Sequence, residues 1–109
     1  MAYDEQLAER VLEALAGQQD VTERKMFGGL CVMIRGNMCV GVEQDKLMVR
    51  VGPDRYEEAL DKANATLMDF TGKPMKGFVY VSAQGVKTEA ALREWIQMGA
   101  DFAGSLPAK

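Results

Sequence analysis

The chain has 109 residues, of which 16 are acidic, 13 are basic and none is histidine, so its net charge is −3. This length suits one domain that can bury a core without a metal or a disulfide. The missing histidines exclude His-based catalytic triads and His-ligated metal sites, and the acidic balance argues against a dedicated DNA-binding domain. The sequence contains no apolar run long enough to span a membrane and has a charged N-terminus, so we expect a cytoplasmic protein with neither a membrane span nor a signal peptide.

The first predicted element is an amphipathic helix. Leu7, Val11 and Leu15 recur at helical spacing between charged residues. Asp4 is the expected N-cap, and Gly17 is the expected end of the helix.

Beyond this helix the apolar pattern changes to the alternation of β-strands. The sequence predicts one strand over 24–35, a turn at Gly36 and Asn37, a second strand over 38–43, a turn at Gln44 and Asp45, and a third strand over 46–51. Pro53 then opens a second helix, strands follow over 67–70 and 78–82, and Thr88 opens a last helix that Pro107 ends. The order α-β-β-β-α-β-β-α predicts an α+β fold in two layers, with helices packed on a five-stranded antiparallel sheet.

The two tight turns assign side chains to the two faces of this sheet. The predicted core face under the helices is almost wholly apolar and comprises Cys31, Met33, Met38, Val40, Val42, Leu47, Val49 and Val51. Cys31 and Cys39 then lie on opposite faces, too far apart for a disulfide. Cys39 lies opposite Arg50 in this register, which makes it the candidate for a redox-active thiol, although two inert core thiols are the simpler interpretation.

The opposite face is the candidate partner surface. Its contact residues are predicted to be Leu30, Val32, Ile34, Met48 and Arg50. A contiguous apolar patch of this kind indicates a protein partner or a homodimer, and the alternative is an ordinary solvated sheet face. Under the first hypothesis, Val32→Asp disrupts a complex and leaves the monomer folded.

A small basic cluster is the second candidate site. Arg24, Lys25, Lys73 and Lys76 could meet beside Phe27 and Phe70, which would place aromatic rings next to positive charge. This arrangement suits a nucleic acid or another anion, and the alternative is a local network of ion pairs. The adjacent glycines Gly28 and Gly29 precede a strand rather than a helix, so they predict a bulge or a sharp bend and not a phosphate-binding loop.

Two segments resemble a known family, the TfoX N-terminal domain (Sxy-like) family. They are the "MFGG" box at 26–29 and "GKPMKGFVYV" at 72–81, and the resemblance extends from about Tyr3 to Pro107. It implies one domain over residues 1–109, with helices on a five-stranded antiparallel sheet. The best-known members regulate natural competence, are thought to assist the cyclic-AMP receptor protein in activating transcription, and carry a C-terminal helical domain that we do not expect in this chain.

The resemblance implies no catalytic residues and no cofactor. The leading hypothesis is therefore a stand-alone, non-enzymatic regulatory or protein-interaction module. Direct nucleic-acid binding through the basic cluster and redox chemistry at Cys39 are the alternatives.

Overall fold

The computed structural model describes residues 3–26, 29–62, 64–69 and 74–107, which form three helices and six strands. The helices are α1 (Glu5–Ala14), α2 (Tyr56–Leu60) and α3 (Glu89–Ser105). The strands are β1 (Val21–Met26), β2 (Gly29–Ile34), β3 (Asn37–Glu43), β4 (Lys46–Arg50), β5 (Ala65–Asp69) and β6 (Pro74–Val81).

The starts of the long helices follow their capping residues. The Asp4 carboxylate accepts hydrogen bonds from the backbone N–H groups of Gln6 and Leu7, at 2.9 and 3.2 Å, and the Thr88 hydroxyl accepts one from Ala91 at 3.1 Å. The predicted cap at Asp4 and the predicted start of the last helix at Thr88 are confirmed, whereas α1 ends at Ala14, before the predicted Gly17. Within the described part of the chain, every helix is too short or too polar to cross a bilayer.

All neighbouring strands are antiparallel, in the order β1-β2-β3-β4-β6-β5. The predicted α+β class is confirmed, but the sheet has six strands rather than five. The single strand predicted over 24–35 is a hairpin, in which Met26 of β1 pairs with Gly29 of β2. The expected bend at Gly28 lies outside the described residues.

Gly29 has its own steric reason to be glycine. A Cβ atom there would collide with the backbone carbonyl oxygen of Val42 on β3. Its place in the sheet therefore depends on the close approach of two strands and not on phosphate binding.

The three helices pack on one face of the sheet and enclose the main core. The residues at its centre are wholly buried: Val11, Leu92, Ala59, Val40, Val49, Val79 and Val81. The second turn of the β2–β3–β4 meander is as predicted, because Glu43 pairs with Lys46 and Val42 with Leu47. Val40, Val42, Leu47, Val49 and Val51 therefore lie in the predicted core.

The first turn of the meander differs from its prediction. It consists of Arg35 and Gly36, both at positive φ (52° and 83°), so that Ile34 pairs with Asn37. This earlier turn moves the pairing by two positions, which leaves the faces of the strands unchanged because side chains alternate with a period of two.

A bulge in β3 does change the faces. Met33 pairs with Met38 and the adjacent Val32 pairs with Val40, which leaves Cys39 as an extra residue without a partner on β2. Cys39 and Val40 both belong to the main core. Because of this extra residue, the side chains of β2 lie on the opposite faces of the sheet from those predicted.

Candidate functional site

The predicted partner surface is only partly on the open side of the sheet. Leu30, Val32 and Ile34 lie in the main core under the helices, with 5%, 0% and 1% of their surface exposed, so the face predicted for them is wrong. Met48 and Arg50 lie on the predicted face. The physical reason is the bulge at Cys39, which turns all of β2 over.

We call the side of the sheet opposite the helices the outer sheet face. Strand alternation and pairing place the following described residues on it: Arg24, Cys31, Met33, Met38, Gly41, Glu43, Lys46, Met48, Arg50, Phe78 and Tyr80. Every buried apolar residue that the described helices contribute belongs to the main core, which lies on the other side of the sheet.

The centre of the outer sheet face is a small apolar cluster. Cys31 and Met48 are 4% and 5% exposed and flank Gly41, which pairs with both of them. A Cβ atom on Gly41 would lie 2.7 Å from the Met48 methyl group, so the glycine leaves the space that this side chain fills. This agrees with the role expected for a glycine in the middle of a strand.

Larger side chains surround this cluster and are partly exposed. Met38, Phe78 and Tyr80 pack against it. Pairing of Met48 with Tyr80 and of Arg50 with Phe78 places the two rings beside β4. Neither ring is among the contact residues predicted from the sequence, although the alternation in "FVYV" at 78–81 indicates that both point to one face of β6.

Charged groups on the outer sheet face contact the aromatic rings. The Tyr80 hydroxyl donates a 2.6 Å hydrogen bond to a Glu43 carboxylate oxygen, and Lys46 Nζ lies 5.1 Å from the centre of the Tyr80 ring. Arg50 Cζ lies 5.6 Å from the centre of the Phe78 ring and 5.2 Å from that of Phe102 on α3. These are distances of cation–π contacts.

The two cysteines are free, buried and on opposite faces, as predicted, but their assignments are exchanged. Cys39 lies in the main core and Cys31 on the outer sheet face. Burial raises the pKa of the Cys39 thiol to about 12. Burial, and to a smaller extent the negative charge of Glu43, also raises the pKa of Cys31.

These positions contradict the redox hypothesis for Cys39. A reactive thiol needs access to solvent and a lowered pKa, whereas Cys39 is fully buried with a raised pKa. Arg50, the cation expected beside it, lies on the outer sheet face, whereas Cys39 lies in the main core.

The described members of the predicted basic cluster do not lie together. Arg24 and Lys25 are exposed on the edge strand β1, where successive side chains point to opposite faces. Lys76 is on β6, four strand spacings away, which amounts to about 19 Å. Lys73, Phe27, Phe70 and the Lys76 side chain lie outside the described part of the structure.

The clefts lined by described residues are small. One of about 190 Å³ lies beside the end of α3, between Phe102, Asp101 and Arg55, and others of about 210 and 100 Å³ adjoin α1. These volumes are below those of typical small-molecule sites. Over the described ranges, no three acidic or cysteine side chains gather as metal ligands would.

Comparison with known proteins identifies a family. The sequence model of the TfoX N-terminal domain matches residues 13–103, which is most of the chain. No curated protein and no solved structure matches.

Proposed function

The chain belongs to the TfoX N-terminal domain family, and we propose that it is a non-enzymatic regulatory module that binds a protein partner through the outer sheet face. Membership in this family supports a regulatory role. The link to transcription or competence, and a cytoplasmic location, are parts of the same proposal.

One observation carries the choice of surface. Met38, Phe78 and Tyr80 are partly exposed around the buried pair of Cys31 and Met48, on the face that lies opposite the helices. Contiguous apolar patches on soluble proteins usually mark interaction sites, and methionine adapts its flexible side chain to different partners. The candidate contact residues are therefore Met38, Phe78 and Arg50.

A charge placed in the middle of this patch tests the proposal. Met38→Asp introduces a carboxylate where the partner would dock, and Ala16→Asp introduces the same group at an exposed position after α1. We expect affinity capture from the native cell to recover a protein with the wild type and with Ala16→Asp, and to lose it with Met38→Asp. Circular dichroism establishes that all three proteins are folded.

Light scattering separates the two kinds of protein partner. A wild-type dimer that Met38→Asp dissociates identifies the partner as a second copy of the chain. Equal recovery of the same protein by the wild type and both variants would contradict the proposed surface.

A further inference from the structure

The charge on the outer sheet face is opposite in sign to that of the whole chain. The protein carries a net charge of −3, yet this face presents Arg24, Lys46 and Arg50 against one described carboxylate, Glu43. The Glu43 carboxylate already accepts a hydrogen bond from Tyr80. The face is therefore locally positive and has an apolar centre.

The three cations have no carboxylate partner in the part of the chain that the structure describes. The ion pairs found there, Arg10–Glu89, Arg93–Glu89 and Arg55–Asp101, all lie on the helical side of the molecule. The described hydrogen bonds likewise include none donated by the side chains of Lys46 or Arg50. Their N–H donors are thus available to an external acceptor.

The aromatic rings hold two of these cations in place. Lys46 lies over the Tyr80 ring, and Arg50 contacts both Phe78 and Phe102. Contact with the rings restricts these long side chains, and the N–H groups that point away from the rings can still donate hydrogen bonds. Because these side chains are already restricted, binding a ligand to them costs less side-chain conformational entropy.

Acidic protein segments and single-stranded nucleic acids both combine negative charge with apolar surface. Phe78 and Tyr80 lie two positions apart on the same face of β6. RNA-binding sheets stack bases on aromatic rings that a sheet presents on one face. Here each ring already has a cation over it, so a stacked base would have to displace Lys46 or Arg50. A carboxylate can reach the same cations as they stand, which favours the protein segment.

We infer that the outer sheet face binds an acidic, amphipathic protein segment, with carboxylates on Lys46 and Arg50 and large apolar side chains on Met38 and Phe78. This inference rests on the proposed function and adds the chemistry of the partner. The complementary charges determine orientation and association rate, while the apolar contacts supply most of the affinity.

Fluorescence anisotropy with defined probes tests the inference. The probes are a labelled synthetic peptide that combines glutamates with leucine and phenylalanine, the same peptide with glutamine in place of glutamate, and a labelled single-stranded oligonucleotide as RNA and as DNA. We expect the acidic peptide to bind at least about tenfold more tightly than the glutamine peptide, and to weaken as salt is added.

Matched variants locate the binding site. The double variant Lys46→Gln/Arg50→Gln should weaken binding of the acidic peptide about tenfold. Arg50→Lys in place of Arg50→Gln keeps the positive charge at position 50 and should recover part of that loss. Arg93→Gln and Arg55→Gln remove the same charge on the helical side and should leave binding unchanged. Thermal unfolding checks that each variant is folded, and Lys46→Gln alone carries the test if Arg50→Gln does not fold.

The outcomes separate this inference from the proposed function. Equal binding of the two peptides, or tighter binding of either oligonucleotide, would overturn the acidic partner. If Met38→Asp still fails to capture the cellular protein that the wild type recovers, the surface proposal stands even then. Unchanged peptide binding by Met38→Asp would instead contradict the proposed surface.

Discussion

Gly99 of α3 packs directly on the backbone of Cys39 in β3. A Cβ atom on Gly99 would lie 2.8 Å from the Cys39 carbonyl oxygen and 3.1 Å from a methyl group of Val40. The longest helix of the protein therefore packs on the sheet at the bulge in β3. This close contact fixes the position of the helix relative to the bulge.

Substitution of Gly99 by alanine should destabilise the protein. The new methyl group meets backbone, which cannot move aside cheaply, so Gly99→Ala should lower the free energy of unfolding by roughly 1–3 kcal/mol despite the better helix propensity of alanine. Urea unfolding measures the change. Gly104→Ala on the same helix is the matched control, because nothing lies within 4 Å of its added Cβ, and it should be neutral or stabilising by up to about 1 kcal/mol.

Val32→Asp should unfold the monomer. Val32 is wholly buried in the main core, and an unpaired carboxylate there costs on the order of 4 kcal/mol or more. This reverses the result expected from the sequence, which placed Val32 on the open face. Far-ultraviolet circular dichroism decides between them, and a cooperative melt near that of the wild type would show that Val32 is not in the core.

The stability of the protein should fall at alkaline pH because of Cys39. Its pKa is raised from 9.0 to about 12 by burial, so the folded protein holds the thiol neutral while the unfolded chain ionises it. The stabilising contribution is complete below pH 9 and is lost as the pH rises through 12. Urea unfolding at several pH values should show a steeper loss for the wild type than for Cys39→Ala, and parallel curves would contradict the assignment.

The β2–β3 turn also holds the end of α3. The side-chain amide of the buried Asn37 donates a hydrogen bond to the Pro107 carbonyl oxygen at 2.9 Å, and Arg35 donates one to the Leu106 carbonyl oxygen at 2.9 Å. Asn37→Ala should cost about 1–2 kcal/mol, because it removes a part-buried hydrogen bond together with the packing of a buried side chain. Ser105→Ala, which removes an exposed hydroxyl, should change the unfolding free energy by less than about 0.5 kcal/mol.

Local patterns were sufficient for most of the fold. Asp4 and Thr88 identified the starts of α1 and α3 because capping depends on a few neighbouring residues, and Gln44–Asp45 set the pairing of β3 with β4 because that turn is tight. The sixth strand was missed because four consecutive residues of β1, at 22–25, are polar and exposed, so the strand shows little apolar alternation.

The candidate site was predicted less well because it depends on register. No feature of the residues around Cys39 distinguishes a bulge from a regular strand, since cysteine and valine are equally acceptable on a buried face. This one position decided whether Val32 or Met33 faces the helices. Met48 and Arg50, on a strand with regular pairing to β3, were assigned correctly.

Because Cys39 is an extra residue with no partner on β2, a change in chain length at this point should have other effects than a change of side chain. Deleting Cys39 would make Met33–Met38 and Val32–Val40 consecutive pairs of a regular ladder and would leave the faces of β2 unchanged. The deletion would, however, remove the backbone carbonyl on which Gly99 of α3 packs. It should therefore alter the contact between the longest helix and the sheet, and not the orientation of β2.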